Sequence, residues 1–426
     1  MGGAFGEQIA IHGWALATAA VVSAACALVG TLLVVRRVSL LGDAIGHAVL
    51  PGIAIAVLAG GRPGGPLVFV GAVAAALATV WLTRTLHEGL AVDEDAASGV
   101  VFTALFAAGV VIVSLAGPRI DIDPSCVLYG ILELVPFDTV TVGGAAVPRA
   151  FLGAAIVLGV LAAAAALTWK LIVFTAFDPA AARALGMPVG AVATATLAAT
   201  AVATVAGFEA VGAVLVVAML VVPAAAAELL VRRLHHVAVL AVLFAVGGAC
   251  AGYVAAWHWN TNAAGMIAVV LGVEYVAAAV LAPEDGIVSQ AASRLRLAWR
   301  VACEDRLAAL WRAEEAATVA QPVIVPRSGI LDVLAAWWLR RDGSVEGGAG
   351  GERLSGRGRR HAEMVVRSHR LWEAWLGRHV DLPLDHLHPP AEWIEHHLGA
   401  EIRGRIEAEL GRRESDPHGR EIPPEA

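Results

Sequence analysis

The region that indicates the fold most directly reads GAVLVVAMLVVPAAAAELLVRR from Gly212 to Arg233. It is apolar until Glu228, and it has about the length, roughly 20 residues, that an α-helix needs to cross a bilayer. Of the 426 residues, 58% are hydrophobic and only 16% are charged, with a mean hydropathy of +0.72. Because soluble proteins carry roughly 25% charged residues, this composition indicates a membrane protein.

Similar apolar runs recur along the first two thirds of the chain. They predict an all-α polytopic membrane region of about nine transmembrane helices, at 10–35, 44–61, 66–84, 97–116, 150–173, 188–206, 209–230, 236–257 and 262–282. The long loop at 117–148 is expected to contain a re-entrant or surface helix.

The arginines between these runs predict the orientation. Most fall in loops on one side of the predicted membrane region: Arg36, Arg37, Arg84, Arg183, Arg232, Arg233 and the cluster from Arg294 to Arg300. The exceptions are Arg62, Arg119 and Arg149. Because Arg and Lys concentrate in cytoplasmic loops, we expect the N-terminus outside and the C-terminal region in the cytoplasm.

The segment with the most distinctive chemistry reads SLLGDAIGHAVLPG from Ser39 to Gly52. Asp43 and His47 are four residues apart and would lie on one face of a helix. Ionisable residues inside a span are costly unless they line a polar path, and a carboxylate with an imidazole suits manganese, iron or zinc. A helix cap at Asp43 with a histidine bonded to a backbone carbonyl is an equally good interpretation of the spacing.

This segment resembles the signature of the metal-type ABC permease family, the membrane subunits of manganese, zinc and iron importers. Three further stretches match the family in order along the chain, at 95–103, 177–186 and 211–227. The resemblance covers essentially all of 1–282. It implies a multi-pass permease of the plasma or inner membrane, a homodimer that works with an ABC ATPase subunit and an extracytoplasmic metal-binding protein. It also assigns Asp43 and His47 to the metal transport pathway.

The stretch at 177–186 resembles the family's cytoplasmic coupling segment, which implies ATPase coupling by Asp178, Pro179, Arg183 and Gly186. Asp178 can cap a short helix that has Pro179 in its first turn. A plain turn between two spans is the alternative. Lys170 is the only lysine in the chain, so a Walker A loop is excluded. We therefore expect no bound nucleotide and no enzyme activity, with ATP hydrolysis in the partner.

A second group of metal-ligating residue types lies near the C-terminus. His369 and Glu373 share a helical face, as do Glu392 and His396, and two such pairs on facing helices would form a nitrogen-and-oxygen metal site. Ordinary charge pairs on solvated helices are the alternative.

The stretch at 354–424 resembles the metal-binding and dimerisation region of the iron-dependent repressor family, which includes diphtheria toxin repressor-like and manganese-responsive regulators. By position, this resemblance implies metal ligands at His369, Glu373, His388, Glu392, Glu395, His396 and, from an earlier helix, Asp305. Glu392 stands where iron-responsive members tend to have cysteine, which favours manganese over zinc and iron.

Members of that family bind DNA through a winged helix-turn-helix, and 297–355 resembles a degenerate form of it. The helix expected to read DNA, around Ile330–Arg341, is largely apolar, so phosphate neutralisation would be weak and we do not expect DNA binding. The predicted organisation is a transmembrane ABC-3-type permease domain at 1–282, a linker at 283–296, a degenerate winged-helix-like region at 297–355 and a repressor-like metal-binding and dimerisation domain at 356–426.

The sequence thus predicts the permease subunit of an ABC importer for a divalent transition metal, with manganese favoured. Its cytoplasmic domain would sense metal and provide feedback. Two other classes stay open. One is a membrane-anchored, metal-dependent DNA-binding regulator. The other is an ion-driven secondary transporter, for which we would expect internal inverted repeats that we do not find.

Overall fold

The computed structural model describes residues 2–38, 40–61, 65–116, 132–316, 329–348, 351–380, 383, 394, 396–411 and 415–424. The chain divides into two compact units, Met1–Ser289 and Gln290–Ala426. The described residues are mostly helical, with two short β-hairpins. The predicted class, an all-α membrane protein with a mainly α C-terminal region, is confirmed.

The first unit is built from long apolar helices. In chain order they are α1 (Gly2–Val35), α2 (Leu40–Ala48), α3 (Leu50–Leu58), α4 (Pro66–Leu90), α5 (Glu94–Ala116), α6 (Arg149–Phe177), α7 (Pro179–Ala184), α8 (Val189–Val211), α9 (Ala213–Leu230), α10 (Leu234–Trp259) and α11 (Ala263–Leu281). Within the described part of the chain, eight helices are long and apolar enough to cross a membrane. They match eight of the nine predicted spans.

The remaining predicted span, at 44–61, is short and interrupted. Its apolar helical residues run only from Ala44 to Leu58, and α2 ends at Ala48 before α3 begins at Leu50. Pro51 explains the interruption, because its ring has no N–H to donate to the carbonyl of His47 four residues earlier. The predicted span at 44–61 is therefore present as a helical segment that is shorter than predicted and has a break in its hydrogen bonding at Val49.

The helices of the first unit pack through glycine. Helix α1 contacts α6, α8, α9 and α10. A β-carbon added to Gly30 of α1 would lie 1.8 Å from the carbonyl oxygen of Leu220 in α9, and one added to Gly52 would lie 2.1 Å from that of Gly71. Small residues permit this close backbone approach between helices in lipid.

A tight turn at Gly212 separates α8 from α9. Its φ of +80° lies in the region that favours glycine. A β-carbon on Gly207 would lie 2.7 Å from the side chain of Val216, so the two helices fold back on each other around this residue.

The long loop before α6 contains β-structure that the sequence analysis did not predict. Strands β1 (Thr139–Val142) and β2 (Ala145–Pro148) pair antiparallel after a 3-10 turn at Leu132–Phe137. Gly143 and Gly144 connect them, both with positive φ, as a two-residue hairpin turn requires. No α-helix occurs in the described part of this loop, 132–148, and residues 117–131 lie outside it.

The second unit surrounds a small core of its own. Its elements are α12 (Ile287–Ala316), α13 (Ile330–Arg341), β3 (Val345–Gly348), β4 (Gly351–Leu354), α14 (Gly356–His379) and α15 (Ala400–Leu410). Helix α12 begins inside the stretch interpreted as a linker, 283–296. Buried Leu307, Leu310, Leu339 and Val345 join α12, α13 and the hairpin. The hydroxyl of Ser355 accepts from the N–H of Gly358 and so begins α14.

A buried ion network crosses this core. Arg306 of α12 lies 2.7 Å from Glu352 of β4, whose other carboxylate oxygen lies 2.5 Å from Arg340 of α13. Arg306 also contacts Asp332 at 3.4 Å. Arg306 and Glu352 are almost fully buried, so the network fixes the relative positions of α12, α13 and the hairpin.

Candidate functional site

Helix α2, which carries the predicted pathway residues, packs directly against α8 and α9. A β-carbon on Gly42 would lie 2.9 Å from Leu220, and one on Gly46 would lie 3.1 Å from Phe208. Asp43 and His47 each follow one of these glycines, so they occupy a face about 100° further around the helix. The glycine face therefore fixes the rotation of α2, and with it the face that carries the two ionisable residues.

The imidazole of His47 is half-buried beside α5. Its ring centroid lies 6.0 Å from that of Phe102 and also 6.0 Å from that of Phe106. Asp43 lies one helical turn earlier in α2, and its side chain is outside the described part of the structure. The structure thus places a titratable ring against an aromatic wall within the membrane-spanning unit.

The predicted coupling residues form a capped short helix. Asp178 accepts a hydrogen bond from the N–H of Ala181 at 2.9 Å, and Pro179 begins α7, as the sequence predicts. Gly186 follows with a φ of +75°. The side chains of Phe177 and Leu185 are exposed at the two ends of α7, whereas Ala182 is buried against the bundle.

A cleft of about 400 Å³ lies beside α7. Arg183 lines it together with Arg84 and His87 from the end of α4. Arg84 donates to the carbonyl of Gly190 at 3.1 Å and pairs with Glu88 at 2.7 Å, so α4 is linked to the start of α8 next to the predicted coupling segment.

In the second unit, α14 carries a buried histidine–carboxylate pair. Nε2 of His369 lies 3.2 Å from Oε1 of Glu373, and both side chains are almost fully buried. Nε2 of His418 lies 3.9 Å from the same oxygen. A buried carboxylate that faces two imidazoles is a nitrogen-and-oxygen donor set of the kind that suits manganese, iron or zinc.

A second group of donors centres on His396. Its Nδ1 lies 2.7 Å from Oε2 of Glu304, and its Nε2 lies 3.1 Å from Oδ1 of Asp305. His361 of α14 approaches the other oxygen of Glu304 at 3.8 Å. The pairing of His396 with Asp305, two residues predicted as ligands from separate parts of the chain, is thus present in the structure.

The histidines of this group determine the charge state of the Glu304 carboxyl. Burial alone would raise the pKa of Glu304, but hydrogen bonds and the charges of His361 and His396 outweigh burial and lower that pKa to about 2. The carboxylate is therefore ionised, which is the form that binds a cation.

Three of the predicted ligands, His388, Glu392 and Glu395, lie outside the described residues. Among the described residues, neither of these two groups has three or more donor side chains placed so that one metal ion could bind them together. The sequence analysis did not select Glu304, His361 or His418 as ligands. Three features of the sequence could have pointed to these ligands. Glu304 directly precedes Asp305, and His361 lies on the same helix as His369. His418 belongs to an Asp-Pro-His-Gly stretch.

Two family models match this chain, one over the membrane-spanning region and one near the C-terminus. The family model described as "ABC 3 transport family" matches residues 8–282. A second model, described as "Iron dependent repressor, metal binding and dimerisation domain", matches residues 355–424.

Individual relatives cover the membrane-spanning part. The "Manganese transport system membrane protein MntD" of Bacillus subtilis is 40% identical over 283 residues, which are 66% of this chain and 96% of the relative. The "Zinc transport system membrane protein TroD" of Treponema pallidum is 36% identical over 270 residues, 63% of this chain and 74% of the relative. A solved structure, "PsaBC from Streptococcus pneumoniae in complex with Fab", aligns with a TM-score of 0.56 and 25% identity over 67% of this chain and 98% of that one.

Proposed function

The chain belongs to the ABC 3 transport family, and we propose that it is the permease subunit through which manganese enters the cell, with a fused cytoplasmic domain that senses that metal. A role as permease subunit in metal transport follows from the family match over residues 8–282 and from the relatives named for manganese and zinc transport. The choice of manganese, the inward direction, the residue roles and the feedback are the proposal. The relative at 40% identity, which is named for manganese, supports the choice of metal.

In this proposal, Asp43 and His47 line the metal pathway. The support is the placement of His47: a half-buried imidazole in the membrane unit, on a helix whose rotation is fixed by close contacts at Gly42 and Gly46. An intramembrane ionisable residue held in this way is costly unless it serves a polar path.

A separate ABC ATPase would act on α7, and an extracytoplasmic metal-binding protein would deliver the metal to the opposite side. Exposed Phe177 and Leu185 at the ends of the capped helix α7 support a docking role for this segment. We further propose that the permease is a homodimer. We also propose that the N-terminus lies outside and the second unit in the cytoplasm, because the loops that contain Arg36, Arg84 and Arg232 then share the cytoplasmic side.

The second unit would bind the transported metal through His369, Glu373 and His418 and through Glu304, Asp305, His361 and His396, joined by His388, Glu392 and Glu395. The match to the repressor metal-binding domain supports this assignment. A bound divalent cation would supply positive charge to carboxylates of α12 and α14. High cytoplasmic metal would thereby alter the second unit and slow transport.

The pathway proposal is tested by uptake of manganese, zinc and iron in uptake-deficient cells that express the chain with its ATPase and binding protein. We expect Asp43→Ala and His47→Ala to reduce manganese uptake by at least about tenfold, since losing a group around a metal usually costs that much. His258→Ala, which removes an exposed imidazole at the end of α10, is the matched control. Unchanged uptake in both variants, with normal membrane levels, would remove these residues from the pathway.

The feedback proposal needs a separate measurement, the initial uptake rate in cells preloaded with manganese. The full chain should slow after preloading, whereas a chain that ends at Ser289 and the Glu373→Gln variant should not. Glu401→Gln, an exposed change in α15, is the control that should keep the response. Equal slowing of the full and shortened chains would contradict feedback and leave the permease assignment intact.

A DNA-binding regulator is the competing function. The exposed centre of α13 consists of Ile330, Val333, Leu334, Trp337 and Trp338, so it presents few polar groups that could read base edges in a DNA groove. A gel-shift with the full chain in detergent at physiological salt, with and without manganese, would reveal specific DNA binding if the proposal is wrong on this point.

A further inference from the structure

Helix α13 has an apolar face directed away from the core of the second unit. Its exposed members are Ile330, Val333, Leu334, Trp337 and Trp338. Their spacing of three and four residues places them on one side of the helix, whereas Ala335, Ala336 and Leu339 on the other side are buried. Ile330 is 81% exposed and Trp337 is 58% exposed. A contiguous exposed patch of this kind marks an interaction surface.

The side chains of this patch are of the types that favour a boundary between water and hydrocarbon. The guanidinium of Arg341 lies over the ring of Trp337, 5.6 Å from its centroid. Trp299 of α12 meets Trp338 edge-on at 6.4 Å, so the tryptophans of two helices adjoin. Tryptophan concentrates at membrane interfaces because its ring is apolar while its N–H is polar.

Arginines lie along one edge of the patch. Arg296 and Arg300 are exposed on α12 on either side of Trp299. Asp332, the acidic residue of the first turn of α13, contacts Arg306 in the core and is only 21% exposed. An apolar centre with arginines at its edge is complementary to an anionic lipid surface.

Along the chain, this patch follows closely after the last spanning helix. The last spanning helix ends at Leu281, and α12 begins at Ile287. Trp299 lies about 18 Å along α12 from its start. A short tether of this kind gives the patch a high effective concentration at the membrane, so that weak lipid contacts suffice.

We propose that the exposed face of α13, with Trp299, Arg296 and Arg300 of α12, binds the anionic surface of the membrane in which the chain is embedded. The helix lies among the lipid headgroups with its tryptophans inserted and its arginines against lipid phosphates. This contact anchors the second unit to the bilayer and goes beyond transport and metal sensing.

The test uses the full chain in nanodiscs that contain a photoactivatable phosphatidylglycerol, with lipid adducts mapped by mass spectrometry. We expect adducts on 330–341 in addition to those on the spanning helices. Arg296→Gln with Arg300→Gln should lower the adduct yield at 330–341 by about fivefold for each arginine removed. Leu334→Ser with Trp337→Ser should abolish it, and Ile402→Ser, an exposed apolar residue of α15, should leave it unchanged.

Three results would overturn the proposal. The first is an absence of adducts on 330–341 while the spanning helices are labelled normally. The second is an equal yield when phosphatidylcholine replaces phosphatidylglycerol as the photoactivatable and bulk lipid, because the arginines would then contribute nothing. The third is protein–protein crosslinks from 330–341 to a second copy of the chain in place of lipid adducts.

Discussion

The two units of this chain handle polar groups in opposite ways. In the membrane unit, helices meet through bare backbone at Gly30 and Gly52, and hydroxyls such as that of Thr31 donate to carbonyls of their own helix. In the second unit, charged Arg306 and Glu352 are buried and pair across three elements. Lipid offers no water to a group left without a partner, and a hydroxyl such as that of Thr31 therefore bonds within its own helix. The second unit, folded in water, buries charge only where long-range packing supplies an opposite charge.

The largest effect should come from breaking the close backbone contact of the membrane unit. Gly30→Ala places a β-carbon within 1.8 Å of the Leu220 carbonyl oxygen, and backbone cannot move aside as a flexible side chain would. We expect a loss of about 3 kcal/mol or more, measured as a lower melting temperature of the full chain in detergent.

The matched control for that change is Gly159→Ala in α6, where an added β-carbon meets nothing within 4 Å. This variant should melt as the unmodified protein does. Equal behaviour of the two alanine variants would show that close helix contact does not distinguish the membrane unit.

In the second unit, the corresponding change is Arg306→Met. It keeps the apolar stem but removes one of the two cations that pair with buried Glu352. We expect a destabilisation of about 3 kcal/mol, seen as faster hydrogen exchange across 351–380, because breaking a buried ion pair leaves a charge poorly compensated. Arg357→Ala breaks an exposed pair with Asp342 and should cost only about 0–1 kcal/mol.

Acid should destabilise the second unit more than the membrane unit, through the same network of buried ion pairs. Burial alone would raise the pKa of Glu352, but hydrogen bonds from Arg306 and Arg340 outweigh burial and lower that pKa below its ordinary 4.5. The stability contributed by this carboxylate is therefore present above about pH 4.5 and is lost as the pH falls through the lower folded-state pKa. Protection factors across 351–380, which correct for the slower intrinsic exchange of amides in acid, should fall in that window.

The check on this pH dependence is Glu352→Gln, which has no carboxylate to protonate at that position. Its protection factors across 351–380 should already be lower at neutral pH and should change less on acidification. If protection in this variant depends on pH as it does in the unmodified chain, the acid response belongs to other groups.

The smallest effect should be local, at the cap of α7. Asp178→Ala removes the acceptor of the Ala181 N–H and should destabilise this short helix by about 1 kcal/mol. We expect faster exchange at 179–186 and weaker transport, with unchanged melting of the full chain. Asp178→Asn retains a capping oxygen and should keep most of the helix protection and most of the transport. Loss of transport in the asparagine variant with an intact helix would instead indicate a role for the charge.

Sequence periodicity was sufficient for two local arrangements, one pair on a single helix and one helix cap. His369 and Glu373 were predicted to share a helical face, and their side chains lie 3.2 Å apart. Asp178 was predicted to cap a helix that begins at Pro179, and it does. These predictions succeed because the geometry of a helix fixes neighbours at three and four residues, whatever surrounds it.

Prediction failed where local signals were overlooked or were not enough. Pro51 lies at the start of the second of two short helices within the second predicted span, and the Gly143-Gly144 pair turns a hairpin that was not predicted. Both signals were present in the sequence. The contact of His396 with Glu304 was different in kind, since the two residues are 92 positions apart and helical periodicity relates only near neighbours.

The sequence by itself determined the class of the protein, its membrane-spanning helices, its family and the residues paired within one helical turn. Each of these depends on composition or on hydrogen bonds between near neighbours. Only the tertiary structure decided that Gly42 and Gly46 orient α2, that Glu352 lies between Arg306 and Arg340, and that the apolar face of α13 is exposed. Those relations depend on which distant surfaces pack together, and that choice is made by the whole fold at once.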